Sequence, residues 1–232
     1  MTRPIIEFKG VSKKYPGREA LQNVSFTLPR GKVIGVIGPN GSGKSTALKL
    51  MAGLLRPNGG QVLVNGEIAG RHTNRHTAFL SDREDLYSFY TIQETLDFYR
   101  SVYADFNLEK AEDMLKFLQL GAEQKVGSLS KGNLGRLKMV LAISRQVPVL
   151  LLDEPLAGLD PMVRQTIIQS IISYFDPEQT ILLSTHEVSE VEPLLDMVML
   201  VYNGKVLAVE DVETIRDTHQ TNLVGWMSAA VR

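Results

Sequence analysis

Apolar residues come in short blocks, and their spacing changes along the chain. Residues 5–11 and 24–28 alternate between apolar and polar, which predicts antiparallel strands near the start. Residues 33–37 are a short apolar run ending in a glycine loop. Residues 44–55 then show helical spacing, closed by Pro57 and Gly59. Asn65-Gly66 after 62–64, and Asn203-Gly204 between 198–202 and 206–209, are two-residue hairpin signals. The middle differs, because 91–103, 107–120 and 130–145 all read as helix. Strand–helix alternation then resumes. A strand at 149–152 precedes a helix at 161–174, with Asp160 as its cap and Pro161 at its first position. A strand at 180–184 and a helix at 187–195 follow. Near-continuous apolar strands of this kind suit a parallel sheet covered on both faces.

The expected organisation is therefore α/β. A core of residues 1–90 and 146–217 carries a mostly parallel sheet and an N-terminal antiparallel β region. A helical subdomain spans 91–145. The tail, 218–232, has no readable pattern, and Trp226 there reads as a packing residue.

Composition narrows the class. The 232 residues suffice for one sizeable core with a small subdomain. Hydrophobic residues make up 44% and charged residues 22%, as in ordinary soluble proteins. The net charge of −1 gives no global basic field, so no nucleic-acid partner is expected. The absence of cysteine excludes a disulfide scaffold and a cysteine metal site, and it fits a reducing compartment. The first residues lack the apolar core and cleavage site of a signal peptide. The apolar stretches fall far short of the ~20 residues of a membrane span, so a transport role would need a separate membrane subunit.

The chemistry is concentrated at two places. Gly38-Pro39-Asn40-Gly41-Ser42-Gly43-Lys44-Ser45-Thr46 matches G-x-x-x-x-G-K-[ST], between a predicted strand and a predicted helix. Glycines let the backbone wrap closely around phosphate oxygens so that successive N–H groups point inward. The helix start adds its positive dipole end. Lys44 is expected on the β- and γ-phosphates and Ser45 on Mg²⁺, with ATP as the nucleotide. The plain alternative, a glycine-rich turn without ligand, does not explain the complete motif in this context. The second place is the strand at 149–152 followed by Asp153, Glu154 and Pro155. Ligands collect at the C-terminal edge of parallel sheets. Asp153 is expected to hold Mg²⁺ and Glu154 to act as general base.

With these motifs in order, the chain resembles an ABC ATPase over about residues 3–215, with the P-loop NTPase core of that family. Leu129-Ser130-Lys131-Gly132-Asn133 resembles the signature LSGGQ at the start of a helix. The resemblance implies that Ser130 and Gly132 complete the nucleotide site of an opposite subunit. Gly158-Leu159-Asp160 resembles the D-loop. Thr185-His186-Glu187 resembles the switch loop, with His186 sensing the γ-phosphate. Tyr15 resembles the aromatic residue that stacks on adenine. The family further implies a homodimer, or a pair with a closely related subunit, bound to a transmembrane permease at the inner face of the membrane. Two departures stand out. Asp82 occupies the position of the family's glutamine, which leaves its Mg²⁺ or water contact direct, rearranged or absent. Lys131 and Asn133 replace glycine and glutamine in the signature; Lys131 either adds charge near the partner's nucleotide or is solvated, the default for exposed lysine. The variant signature and the short helical region look like the ABC-2 type, often exporters.

Other readings fit less well. Non-transport ABC ATPases of DNA repair or translation usually carry paired domains, long coiled coils or basic extensions, none of which the sequence shows. A generic P-loop kinase or GTPase leaves the Ser130 helix and the later acidic and histidine motifs without a role. His72 and His76 are four apart, but they lie in an expected hairpin or loop with no third ligand near in sequence, so no metal is assigned to them.

Overall fold

In the computed structural model, residues 3–81 and 86–231 are described. Two sheets share the molecule. The smaller is antiparallel, in the order β2-β1-β4-β5, with β1 at Ile6–Tyr15, β2 at Arg18–Leu28, β4 at Gly59–Val64 and β5 at Glu67–Ile68. The larger has six strands in the order β10-β9-β3-β8-β7-β6. Its members are β3 (Val33–Ile37), β6 (Thr77–Leu80), β7 (Val149–Asp153), β8 (Thr180–Thr185), β9 (Met197–Tyr202) and β10 (Lys205–Asp211). All its pairings are parallel except β9 with β10, which is antiparallel. The hairpin turns follow from their residues: Asn65 and Gly66, and Asn203 and Gly204, all have positive φ, as a two-residue turn requires.

Every residue of β3, β7 and β8 is buried, because both faces of the sheet are covered. On one face, helix α1 (Lys44–Met51) lies between the sheets. Its Ala47, Leu48, Leu50 and Met51 join Phe8 and Val62 of the antiparallel sheet and Val36, Leu151 and Leu182 of the parallel one. The other face meets α4 (Lys131–Ile143), α5 (Pro161–Tyr174) and the short α6 (Val188–Val191). Helices α2 (Ile92–Val102) and α3 (Leu108–Phe117) stand before α4. A capping box between Thr91 and Glu94 starts α2, and the Asn107 side chain starts α3. Arg145 ties this helical part to the core. Its side chain pairs with Asp105, donates to Asn74 O at 2.8 Å and stacks 3.7 Å from the Tyr103 ring centroid.

Several elements differ from the sequence expectation. Helix α1 stops at Met51. The expected helix 187–195 is one α turn followed by a 3₁₀ turn at Glu192–Leu194, because Pro193 cannot continue the hydrogen-bond ladder. Strand β6 was not expected at all. The end of the chain is helical: α7 at Val212–His219 begins within the expected core, and α8 at Leu223–Ala230 lies in the tail, where Trp226 is buried. Among the described residues, no helix is long and apolar enough to cross a membrane.

Candidate functional site

The loop between β3 and α1 is shaped by glycines at positive φ: Gly38, Gly41 and Gly43. Two of them also sit where no side chain fits. A Cβ on Gly38 would lie 2.0 Å from Val201 O, and one on Gly43 would lie 2.6 Å from Ala20 O. The loop thus presses against β9 and β2, with Asn40 and Gly41 exposed at its tip. Gly43 precedes the first turn of α1, where backbone N–H groups have no helical partner. The Ser42 hydroxyl is buried without a hydrogen-bond partner among the described residues. Lys44 is 5% exposed, and its ammonium folds back to Gly38 O at 2.8 Å and Pro39 O at 3.2 Å. Thr46 is the third residue of α1 and half-buried.

Strand β7 brings the acidic pair against this loop. Asp153 is fully buried, and its Oδ1 accepts from Ser45 Oγ at 2.8 Å and from Ser184 Oγ at 2.9 Å. Its Oδ2 has no hydrogen bond among the described residues, although the Lys49 ammonium stands 3.7 Å away. Glu154 has φ of 48°, an uncommon conformation for a residue with a side chain. Its amide donates to Ser184 Oγ at 2.9 Å, while its carboxylate lies 3.4 Å from Lys44 Nζ and 2.9 Å from His186 Nδ1.

The structure therefore gathers Lys44, Ser45, Asp153, Glu154 and His186, which come from three separate segments. Ser130, Gly132, Asp160 and Tyr15 are engaged elsewhere. Ser130 caps α4 by accepting from Asn133 N at 3.2 Å. A Cβ on Gly132 would meet Val163, not the phosphate loop. Asp160 caps α5 by accepting from Val163 N at 3.0 Å. Tyr15 ends β1, 40% exposed, with the Lys13 ammonium 5.5 Å from its ring centroid. Lys131 is exposed and its ammonium lies over Gly158, where a Cβ would come within 2.2 Å of it. Asp82 lies outside the described residues. His76 pairs with Glu67 at 3.2 Å and Asn65 at 3.2 Å.

Sequence reading missed Ser184, which holds both acids in place. Its signal was a polar residue at the end of an apolar strand, just before Thr185-His186. It also missed Arg18, which donates to Gly41 O. No local pattern marks that contact.

The donor set suits the expected ligands. Ser45 and Asp153 offer converging hard oxygens, one of them a buried oxygen without a hydrogen bond, which is the chemistry of a magnesium site. The glycine-walled loop, the free Ser42 hydroxyl and the Lys44 ammonium suit a polyphosphate. Fold and loop together define a P-loop nucleotide-binding protein.

Comparison with known proteins narrows this. The family model for the ABC transporter domain matches residues 21–157. Nod factor export ATP-binding protein I of Burkholderia lata is 32% identical over 211 residues, which cover 88% of this chain and 69% of that protein. The probable multidrug ABC transporter ATP-binding protein YbhF of Escherichia coli is also 32% identical over 88% of this chain, which spans only 36% of the length of YbhF. A solved structure of an ATP-binding subunit of an ABC transporter superposes with a TM-score of 0.86 at 26% identity, covering 97% of this chain and 99% of that one. The chain belongs to the ABC transporter family, as one of its ATP-binding subunits.

Proposed function

We propose that this chain binds Mg-ATP and hydrolyses it as one of two cassettes that together drive a membrane permease, in the export direction. The observation that carries the reading is the convergence of Lys44, Ser45, Asp153, Glu154 and His186 at one sheet edge. Lys44 and the loop amides hold the phosphates, and Ser45 and Asp153 hold the metal. A bound magnesium ion supplies positive charge at the β- and γ-phosphate oxygens. Glu154 takes a proton from the attacking water as its oxygen bonds to the γ-phosphorus and the bond to ADP breaks. His186 holds the Glu154 carboxylate in position for that transfer.

Ser130 caps its own helix and Gly132 faces Val163, so among the described residues neither is tied to the cluster, which supports their use on the site of a second copy or a close relative. An isologous pair would then build two equal sites. Support for a permease comes from a groove between the core and the helical part, lined by Leu54, Phe79, Leu86, Tyr99 and Tyr103. Beside it, Tyr87 and Phe89 are 51% and 66% exposed, in ring contact with Tyr90 and Phe98. Exposed clustered aromatics mark an interaction surface. Such a partner would place the chain at the cytoplasmic face of the membrane. The export direction rests on the name of the Burkholderia lata relative, a Nod factor export protein.

The test is Lys44→Ala, followed by nucleotide titration and steady-state phosphate release. Hydrolysis should be abolished and binding strongly weakened. Unchanged ATPase activity in that variant would overturn the assignment.

A further inference from the structure

One charged cluster beside the site has no role in the chemistry above. Arg164, on the first turns of α5, reaches two segments: the turn before α5, and the start of α6 with its cap. Its Nε donates to Leu159 O at 2.8 Å, the carbonyl that precedes the α5 cap. Its Nη1 donates to Glu187, the residue after His186, and to Glu190 on α6. Its Nη2 lies 3.4 Å from the second Glu187 oxygen. The side chain is only 18% exposed. The other oxygen of Glu190 is buried without a hydrogen bond among the described residues, so this carboxylate depends on Arg164 for its partner. The hydrogen bond to Glu190 holds the guanidinium above its usual pKa; burial opposes it, and the attraction of Glu190 and Glu187 adds to it.

The contacts continue to the site. Glu187 Oε1 stands 3.8 Å from His186 Nε2, and His186 Nδ1 stands 2.9 Å from Glu154. The 4-residue α6 is too short to fix the His186 loop by its own backbone ladder. A planar fork with donors at fixed angles can hold three acceptor residues in one arrangement, which a single ammonium cannot do.

We infer that Arg164 is a positioning residue for hydrolysis: it clamps the Gly158–Asp160 turn and the Glu187 loop together, and so sets His186 against Glu154. This rests on the ATPase reading above, but the clamp itself can be tested without turnover. Misplacing a reacting group by about 1 Å costs up to ~10²-fold in rate. Arg164→Met should therefore lower kcat by roughly 10- to 100-fold, with KM and nucleotide affinity within about twofold of wild type.

Arg164→Lys keeps the charge and loses the fork. If the fork is what matters, lysine fails to restore turnover; full restoration would overturn the clamp. Coupling gives a second arm. In a His186→Ala background, Arg164→Met should have little further effect, whereas multiplying losses would overturn action through His186. The third arm needs no ATP hydrolysis. Imidazole resonances of His186, assigned through His186→Gln, should move in Arg164→Met and in Glu187→Gln, while those of His72 and His76 stay fixed. An unmoved His186 signal in both variants would overturn the proposal, and the Glu187 variant covers the case in which Arg164→Met does not fold. A wild-type protein without ATPase activity would overturn the function reading and leave this spectroscopic result standing on its own.

Discussion

Replacing Glu154 with Gln should move binding and turnover in opposite directions. In the free protein, the Glu154 carboxylate stands 3.4 Å from the Lys44 ammonium and 2.9 Å from His186. Unit charges at that separation attract by roughly 5 kcal/mol at an effective dielectric of ~20. Glu154 keeps 17% exposure against 5% for Lys44, so water screens one side of the pair. The net effect is a fraction of the bare figure, about 1 kcal/mol. A triphosphate competes for the same ammonium. Removing the carboxylate should therefore tighten nucleotide binding by about fivefold, since one factor of ten is ~1.4 kcal/mol. Turnover should fall by ~10²–10⁴, the usual contribution of a general base, because an amide does not accept the proton. The assay is titration with a fluorescent ATP analogue beside steady-state phosphate release, with light scattering in the presence and absence of Mg-ATP. Wild-type turnover would remove Glu154 from the role of base. Binding weakened tenfold would refute the electrostatic argument. An inactive variant that stays monomeric at high ATP would leave the base in place and count against a stable ATP-held pair of isolated subunits.

Two further substitutions probe the frame around the site. Gly43→Ala should destabilise the fold by about 1–3 kcal/mol and abolish nucleotide binding, because φ is 119° and the new Cβ would lie 2.6 Å from Ala20 O; normal binding in a nucleotide titration would contradict this. Arg145→Met should cost about 3 kcal/mol, the low end for breaking a buried pair, since Asp105 keeps 28% exposure. That corresponds to a Tm lower by ~6–12 °C in a chain of this size, and a change under ~2 °C would show that Arg145 does not join the helical part to the core.

Local rules made most of this fold legible. Asn-Gly pairs marked the β4–β5 and β9–β10 hairpins because the turn needs positive φ at two successive residues. Pro161 and Asp160 marked the start of α5 to the residue. The phosphate loop was readable because its backbone shape requires glycine at set positions. What escaped was non-local. Strand β6 has four residues, too few to show a period, and it exists because it pairs with β7. Helices α7 and α8 have eight residues each, too short to be stable alone. They gain their stability by placing Ile215, Leu223 and Trp226 in the core. In the site, Asp153 and Glu154 stood out as a pair, whereas Ser184 and Arg164 act through contacts 23 to 31 residues away in sequence, with Glu187 and Glu190 at 23 and 26.

The two neighbouring acids differ because the backbone turns between them. Asp153 ends a strand, and its side chain meets Ser45 and Ser184. One residue on, an extended backbone would send Glu154 to the opposite face of the sheet. Its φ of 48° redirects the carboxylate toward Lys44 and His186 instead, at a conformational cost on the order of 1–2 kcal/mol. Ser184 Oγ compensates by accepting from the Glu154 amide, so that donor is paired. The cation in the loop is then shared among Gly38 O, Pro39 O and Glu154, all of them acceptors that a triphosphate could replace. On the proposed reading, seating the phosphates takes Lys44 away from Glu154 and leaves that carboxylate to water and His186. Substrate binding and release of the base are then a single event, and the tighter binding expected of Glu154→Gln is the trace of that exchange.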